Sequence, residues 1–275
     1  MKTEITENNF ALIRCNQCHS SNWRKEDKNL NCCDCDNSYA FNENNQLISL
    51  KDHIDDENWE KVTTSFNLFK DDPKPIKKDK LGGPRISELK EKFKIKGVAI
   101  NLGSGQDNYD GFLNIDLGSY KPVDIVADLK NIPIIENSVD LVASNSVLEH
   151  IYDFQKVIEE VFRILKPKGY FYLCVPSACL RHHEFDYHRW TTPGLHKLME
   201  NRFDVIDSGS ARGVGYALIT FGDALISYKI QSILVKKLLS SFWRFFSKPL
   251  LWIKDDPTEE YQAMSETIYV IGRKI

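Results

Sequence analysis

Short apolar runs of the β type alternate with helical or loop segments from Gly97 onward, and this alternation restricts the fold more than any other feature. A helical segment, FQKVIEEVFRILKPKG, separates the last two runs, and its apolar residues recur at helical spacing. Alternation of this kind predicts an α/β fold with a doubly wound, Rossmann-like sheet over residues 85–275. The runs are VAINLG (98–103), FLNIDL (112–117), VDIVADL (123–129), the start of SVDLVASNSVLEHI (138–151) and YFYLCVPS (170–177).

Glycine and aspartate residues end the first three runs. Gly103 ends the first run and Gly105 follows it after one residue, and glycine lets the backbone approach a ligand closely. Asp116 and Asp128 end the second and third runs, where a carboxylate can accept hydrogen bonds from the two hydroxyls of a ribose. The pattern indicates a nucleoside-containing ligand, although many nucleotide-binding folds share the G-x-G element.

Five segments, AINLGSG, NID, ADL, VDLVASNSVLEHI and RILKPKGYFYLCVP, together with the final ETIYVIGRKI, resemble the successive motifs of class I S-adenosylmethionine-dependent methyltransferases of type 11. The resemblance implies a methyltransferase that uses S-adenosylmethionine as its cofactor. Asn108 stands where a hydride-transferring Rossmann enzyme would more often have its third glycine. By their positions in the motifs, the residues expected to bind the cofactor are Gly103, Ser104, Gly105, Asp116, Leu117, Asp128, Leu129 and Asn145.

The sequence departs from this family pattern at two places. Asn101 occupies the position of the usual acidic residue at the end of the first strand. Only ten residues separate Gly105 from Asp116, too few for the full helix normally found there. A shortened first crossover does occur in methyltransferases that resemble this pattern.

The acceptor is expected to bind at the segment RHHEFDYHRWTTPGLHKLM (181–199), which precedes a helix starting at Thr192 with its hydroxyl as cap. His183 or Asp186 could remove a proton from a hydroxyl or amine acceptor, and Arg189 could clamp a phosphate or carboxylate. Alternatively, Asp186 and Arg189 pair with each other and lock the loop. The segment resembles one in methyltransferases associated with polysaccharide and cell-surface glycans. That resemblance implies a small-molecule, glycan or lipid-linked acceptor.

Five of the seven cysteines lie between Cys15 and Cys35, in a segment expected to be a separate module. Cys15 with Cys18, and Cys32 with Cys35, form two C-x2-C pairs separated by thirteen residues. Two such turns can close a tetrahedral Zn2+ site, so we predict a structural zinc ribbon over residues 1–50. Two alternatives stay open, in which Cys33 replaces Cys32 or His19 replaces a thiolate.

Residues 51–84 read as a charged linker, and a short helix is expected just after it. A helical insertion is predicted at about 211–255. Its apolar side chains Leu234, Leu238 and Phe242 fall on one helical face and basic side chains on another, with no acidic residue in 224–254. Such a helix is either a lid or dimer contact, or a peripheral membrane contact through residues 229–253 that favours anionic lipid.

The formal net charge of −3 provides no basic field for nucleic acid, so a nucleic-acid partner is not expected. The N-terminus lacks an apolar export signal, and no apolar run reaches the roughly 18 residues of a spanning helix. We expect a cytoplasmic protein, peripheral to the inner face of the membrane if the basic helix binds lipid. The rival functions are an RNA base methyltransferase and a non-catalytic cofactor-binding protein. The oligomeric state is left open.

Overall fold

The computed structural model describes residues 7–49, 83–182, 184–252 and 264–275. Its strands are β1 (Trp23–Glu26), β2 (Asn29–Cys32), β3 (Ser38–Phe41), β4 (Leu47–Ile48), β5 (Ala99–Leu102), β6 (Phe112–Asp116), β7 (Ile125–Val126), β8 (Val139–Asn145), β9 (Leu165–Pro176), β10 (Phe203–Arg212) and β11 (Thr267–Lys274). Its helices are α1 (Ile86–Lys92), α2 (Phe154–Ile164), α3 (Thr192–Met199), α4 (Val214–Lys229) and α5 (Ile233–Phe246). Short 3-10 turns cover Glu7–Leu12, Leu148–His150 and Lys248–Trp252.

All of these strands belong to one 11-stranded sheet, ordered β1-β2-β3-β4-β7-β6-β5-β8-β9-β11-β10. Strand β5 pairs in parallel with both β6 and β8, so the winding of the chain reverses at β5. Strand β11 runs antiparallel between β9 and β10. The prediction of a doubly wound α/β sheet is confirmed. In such a sheet, ligands bind beyond the carboxyl ends of the strands at the reversal point.

Helices pack against both faces of the sheet. Helix α2 buries four apolar side chains in the main core, at the helical spacing seen in the sequence: Val157, Ile158, Val161 and Ile164. On the opposite face, Ile86 and Leu89 of α1 pack in a second cluster with Phe112 of β6. The short helix expected after the linker is thus present as α1.

The half of the sheet that contains β5, β6 and β7 lacks crossover helices, because residues 103–111, 117–124 and 127–138 form turns and loops. The absence of a helix after β5 agrees with the short spacing in the sequence. Residues of the ribbon cover this half instead. Leu30, Tyr39 and Leu47 are fully or almost fully buried, and they belong to the same cluster as Ile115 and Ile134.

The ribbon continues the doubly wound sheet through its last strand. Strand β4 pairs in parallel with β7, and the amide of Leu47 donates to the carbonyl of Asp124 at 2.9 Å. The buried side-chain amide of Gln46 donates to the backbone carbonyl of Val123 at 2.9 Å. Ile13 forms an antiparallel bridge with Ile134. The ribbon is therefore hydrogen-bonded to the rest of the fold at two places, through Gln46 and β4 and through the segment around Ile13.

The connection from β10 to β11 contains α4 and α5. The indole N–H of Trp243 in α5 donates to the carbonyl of Ile219 in α4 at 3.0 Å, and Arg244 pairs with Asp223. No residue of α5 is buried. None of the helices in the described ranges is long and apolar enough to cross a membrane. Residues 51–82, which are the greater part of the predicted linker, lie outside the described residues, as do residue 50 and residues 253–263.

Candidate cofactor and acceptor site

The turn after β5 can hold a ligand against its backbone. Gly103 and Gly105 have φ values of +65° and +52°, in a backbone region that residues other than glycine rarely adopt. A Cβ on Gly103 would lie 2.3 Å from Val147, whereas a Cβ on Gly105 would meet no atom within 4 Å. Glycine is therefore required sterically at Gly103, and Gly105 borders open space.

Asp116, at the carboxyl end of β6, fastens this turn. Its Oδ2 accepts a hydrogen bond from the amide of Gly105 at 2.8 Å, and its Oδ1 accepts one from the amide of Gly118 at 2.7 Å. Burial raises the pKa of Asp116. A carboxylate offers about four acceptor positions, so two hydrogen bonds leave capacity for the hydroxyls of a ribose.

Two buried hydroxyls at the same edge suit a bound ligand. The Oγ atoms of Ser104 and Ser144 are buried, and neither has a hydrogen-bond partner among the residues the structure describes. Buried polar groups are normally paired, so such groups commonly mark the place of a bound molecule. With Gly105 and Asp116 beside them, these residues fit a nucleoside cofactor such as S-adenosylmethionine.

The remaining predicted cofactor residues have different surroundings. Asn145 is exposed at the end of β8, and Leu117 is half-buried after Asp116. Asp128 accepts a hydrogen bond from the amide of Lys130 at 2.9 Å. Leu129 is buried in the main core. Their roles toward the cofactor stay predictions.

Asn101 is buried in β5, and its side chain donates to Oδ1 of Asn114 at 3.3 Å. The Asn114 amide in turn donates to Oδ1 of Asn108 at 3.1 Å, within the short loop between β5 and β6. This side-chain network orders the loop that replaces the usual helix.

Asp186 and Arg189 pair with each other, which is the alternative considered from the sequence. The guanidinium of Arg189 binds both carboxylate oxygens of Asp186 and also donates to the carbonyls of Cys179 and Leu180. Burial acts to raise the pKa of Asp186, but the hydrogen bonds and charges of Arg189 and His182 together outweigh it and lower the pKa to about 2. The pair locks the loop between β9 and α3. The third catalytic candidate, His183, lies outside the described residues.

Glu149, which the sequence reasoning did not select, lies beside this pair. Its side chain is fully buried, and its oxygens accept no hydrogen bond from the described residues. Burial raises its pKa to about 8. The carbonyl of Glu149 accepts from the amide of Tyr187 at 2.7 Å, which joins the turn after β8 to the loop after β9. The LEH run was visible in the sequence, but its meeting with this loop was not.

The four predicted zinc ligands, Cys15, Cys18, Cys32 and Cys35, form one cluster with all sulfur atoms within 4.8 Å. Sulfur atoms about 2.3 Å from a zinc ion would be about 3.8 Å apart. The Cys15–Cys35 and Cys18–Cys32 distances are 3.6 and 3.5 Å, so the cluster is compatible with a tetrahedral ion. Neither Cys33 nor His19 belongs to the cluster.

A side-chain amide supports this cluster from outside. Asn37 donates to the sulfur of Cys15 at 3.3 Å. Burial acts to raise the pKa of Cys15, but hydrogen bonds from the Cys18 backbone and from Asn37 lower it to about 7. At Cys15 the surroundings thus favour the thiolate, which is the form that binds metal.

Comparison with known proteins identifies the domain. Residues 104–173 match the family model described as "Methyltransferase domain", so this part of the chain is similar to methyltransferase domains, as the motifs predicted. Dimethylglycine N-methyltransferase of Parasynechococcus marenigrum is 35% identical over 81 residues, which cover 29% of this chain and 29% of that protein. The chain thus matches less than a third of this curated relative.

Two solved structures are similar in shape. One is 1,6-didemethyltoxoflavin-N1-methyltransferase of Burkholderia thailandensis with bound S-adenosylhomocysteine; the match covers 92% of this chain and 98% of that one, at 12% identity and a TM-score of 0.48. The other is phosphoethanolamine N-methyltransferase 2 of Haemonchus contortus with S-adenosylmethionine. The match covers 68% of this chain and 51% of that one, at 16% identity and a TM-score of 0.43.

Proposed function

We propose that this chain, whose residues 104–173 match the methyltransferase domain family, transfers a methyl group from S-adenosylmethionine to a small-molecule acceptor. The observation that carries the proposal is the turn Gly103–Gly105, which is fastened to the carboxylate of Asp116 at the reversal point of the sheet. The cofactor, when bound, supplies an activated methyl group on a sulfonium. Zinc in the four-cysteine cluster has a structural role in this proposal.

The residues of the chain contribute positioning. Asp116 would hold the ribose, and the glycine turn with Ser104 would line the methionine part. Asp128 would lie toward the adenine. Methyl transfer is an in-line displacement, so a fixed distance between the methyl group and the acceptor atom contributes much of the acceleration.

Calorimetric titration of the zinc-loaded protein with S-adenosylmethionine tests the cofactor assignment. We expect one binding site per chain and its loss in Asp116→Ala, because that change removes both the ribose acceptor and the anchor of the turn. Glu136→Ala, an exposed carboxylate in the loop before β8, is the matched control and should bind normally. Absence of binding by the folded wild-type chain would rule out the proposed function.

An acceptor with a sugar ring fits the surface beside this site. Tyr152 and Tyr187 are exposed, and their ring centroids are 5.7 Å apart. Exposed aromatic rings offer an apolar face with a polar tip, which suits the mixed surface of a sugar. The guanidinium of Arg189 donates hydrogen bonds to Asp186 and to backbone carbonyls. Because these bonds engage its charge, the surface favours a glycan over an anionic acceptor.

Transfer of labelled methyl from S-adenosylmethionine to nucleotide sugars, bacterial glycolipids and RNA tests the acceptor class. We expect label in a sugar-containing acceptor and a higher KM in Tyr187→Ala, with cofactor binding unchanged. Tyr228→Ala, which removes an exposed tyrosine at the end of α4, is the control. Label in RNA alone would contradict a glycan acceptor.

The face of α5 turned away from α4 further supports a lipid-linked acceptor at a membrane surface. Leu234, Leu238 and Phe242 expose between 62% and 80% of their surface. Residues 224–252 contain five basic and no acidic side chains, Lys229, Lys236, Lys237, Arg244 and Lys248. Exposed apolar side chains with basic neighbours complement an anionic bilayer. Helix α4 starts right after β10, which runs parallel to β9, so the helix pair begins at the edge of the sheet where ligands bind.

Sedimentation with vesicles tests this contact. We expect binding to vesicles of phosphatidylglycerol and phosphatidylcholine, weak binding to phosphatidylcholine alone, and loss of binding in Phe242→Glu. Asn44→Glu adds the same charge at an exposed turn of the ribbon and should not change the result. If α5 instead joins two copies of the chain, wild type will be dimeric without lipid and Phe242→Glu monomeric, which would contradict the membrane contact.

A further inference from the structure

The turn after β8 and the loop after β9 bring a carboxylate and two imidazoles together. The ligand atoms of Glu149, His150 and His182 lie within 4.8 Å of one another. Nε2 of His150 is 3.8 Å from Oε1 of Glu149, and Nε2 of His182 is 4.0 Å from the same oxygen. We propose that these three side chains bind a divalent transition-metal ion at the acceptor side of the methyltransferase site.

Glu149 is the strongest reason for a cation at this point. Its side chain is fully buried, and neither of its oxygens accepts a hydrogen bond from any residue in the described ranges. Placing an ionised carboxylate in a buried position without a partner is costly, and buried charges are normally paired or bound to a metal. A cation between Glu149 and the two rings would satisfy this group.

Both imidazoles are oriented to present Nε2. Nδ1 of His150 lies 2.7 Å from the carbonyl oxygen of Phe185, an acceptor, so Nδ1 carries the proton and Nε2 carries the lone pair. Nδ1 of His182 lies 3.3 Å from Oδ2 of Asp186, which gives that ring the same tautomer. Metal-binding histidines are typically held in this way by an oxygen acceptor on the other ring nitrogen.

This arrangement gives the locked Asp186–Arg189 pair a second role. The Asp186 carboxylate orients His182, because it lies 3.3 Å from Nδ1 of the ring and accepts a hydrogen bond from the His182 backbone amide at 3.0 Å. Arg189 in turn holds that carboxylate in place by hydrogen bonds. Asp186 is then a positioning residue for the metal ligand.

The geometry is open enough to admit an ion. Ligand atoms about 2.1 Å from a metal lie about 3.0 to 3.4 Å apart, so the present distances require side-chain movements of less than about 1 Å. His182 is partly exposed, so the remaining coordination positions face away from the core. Two imidazoles and one carboxylate suit ions such as Mn2+, Fe2+ and Zn2+. The open positions would bind water or, resting on the proposed function, oxygen atoms of the acceptor.

Titration with Mn2+ of the full chain loaded with one equivalent of Zn2+, enough for the four-cysteine cluster alone, tests the site; the electron paramagnetic resonance signal of free Mn2+ reports the binding. Mn2+ prefers oxygen and imidazole ligands to thiolates, so it should leave the cysteine cluster undisturbed. We expect one Mn2+ per chain. Glu149→Gln and His182→Asn should each weaken binding by at least about 10-fold, the lower end of the effect seen for residues that only support metal ligands.

His188→Asn is the matched control, because His188 lies in the same loop but its ring contacts the carbonyl of Tyr152 instead. It should bind Mn2+ as wild type does. His182 is half-exposed, so its variant tests the site even if Glu149→Gln fails to fold. Absence of Mn2+ binding by wild type, or equal binding by wild type and His182→Asn, would overturn the site.

Titration of His182→Asn with S-adenosylmethionine separates this inference from the proposed function. Cofactor binding should be unchanged in that variant, since His182 lies in the loop after β9, where its ring contacts Glu149, His150 and Asp186. If the chain binds the cofactor but not Mn2+, only the metal-site proposal is refuted. If the folded chain binds Mn2+ but not the cofactor, the methyltransferase proposal is refuted and the metal-site proposal stands.

Discussion

The ribbon and the α4–α5 helix pair are both additions to the methyltransferase sheet, one near each end of it, yet they are joined to the fold in opposite ways. The ribbon extends the sheet through β4 and shares its buried core, with Leu47 fully buried. The helix pair sits between β10 and β11, and α5 contains no buried residue. A segment built into the core serves the fold, whereas a segment that keeps an apolar face exposed is available for a partner.

The difference follows from what each segment replaces. The strands β5, β6, β7 and β8 are connected without helices, so one face of that half of the sheet would be uncovered without the ribbon. The half that contains β9, β10 and β11 already has α2 and α3 packed in the main core. The helix pair adds nothing to that core, since no residue of α4 or α5 belongs to the main cluster.

The largest effect is expected from breaking the cysteine cluster. Cys32→Ser removes a zinc ligand, and because the ribbon shares the core of the sheet, the whole chain should lose stability. Structural zinc contributes on the order of 10 kcal/mol in small zinc domains, so even a partial loss of about 3 kcal/mol would lower Tm by roughly 6–12 °C. Calorimetric melting of the zinc-loaded protein measures this shift.

Cys33→Ser is the matched control, because this neighbouring thiol is exposed and outside the cluster. Its Tm should stay close to that of wild type. If Cys32→Ser melts the ribbon alone and leaves the main transition in place, the shared core would be refuted.

A pair of leucine substitutions compares the two regions directly. Leu47→Ala leaves a cavity in the shared core and should cost about 2–5 kcal/mol in the free energy of unfolding. Leu238→Ala removes a side chain that is 71% exposed and should change it by no more than about 0.5 kcal/mol. Urea unfolding of both variants gives the two values, and equal costs would contradict the distinction drawn between the regions.

The smallest effect is expected where α5 meets α4. Arg244→Met breaks the ion pair with Asp223, and because Arg244 is partly exposed, the loss should be about 0.2–1 kcal/mol. Lys197→Met, which breaks a more exposed pair with Glu200, should cost less still. A loss above about 2 kcal/mol for Arg244→Met in thermal melting would mean that α5 is part of the core.

The sequence predicted the features that depend on local pattern. The glycine turn, Asp116 and the four cysteines are each defined within a few residues, and the structure brings the cysteines together and hydrogen-bonds the turn to Asp116. The prediction that the hydroxyl of Thr192 caps α3 was wrong by one residue, since the side chain of Thr191 accepts the hydrogen bond from the Gly194 amide. Adjacent threonines before a proline offer two nearly equivalent caps, and the structure selects one.

Features that depend on contacts between distant segments were not predictable. The ribbon was expected to be a separate module, and its pairing with β7 depends on Leu47 meeting Ile125, a residue far away in the sequence. The burial of Glu149 depends on two loops meeting across adjacent strands. Cys32 and Cys33 differ only in which sulfur faces the cluster, a choice that spacing alone left open.

Hydrogen–deuterium exchange of the zinc-loaded protein, alone and with S-adenosylmethionine, tests the account most directly. We predict that β4 is as protected as β5 in the free protein and that α5 exchanges faster than both. Adding the cofactor should slow exchange in 103–118 and leave α5 unchanged. A folded chain in which the cofactor leaves 103–118 unchanged, or in which β4 exchanges as fast as α5, would contradict a methyltransferase site supported by a ribbon built into its sheet.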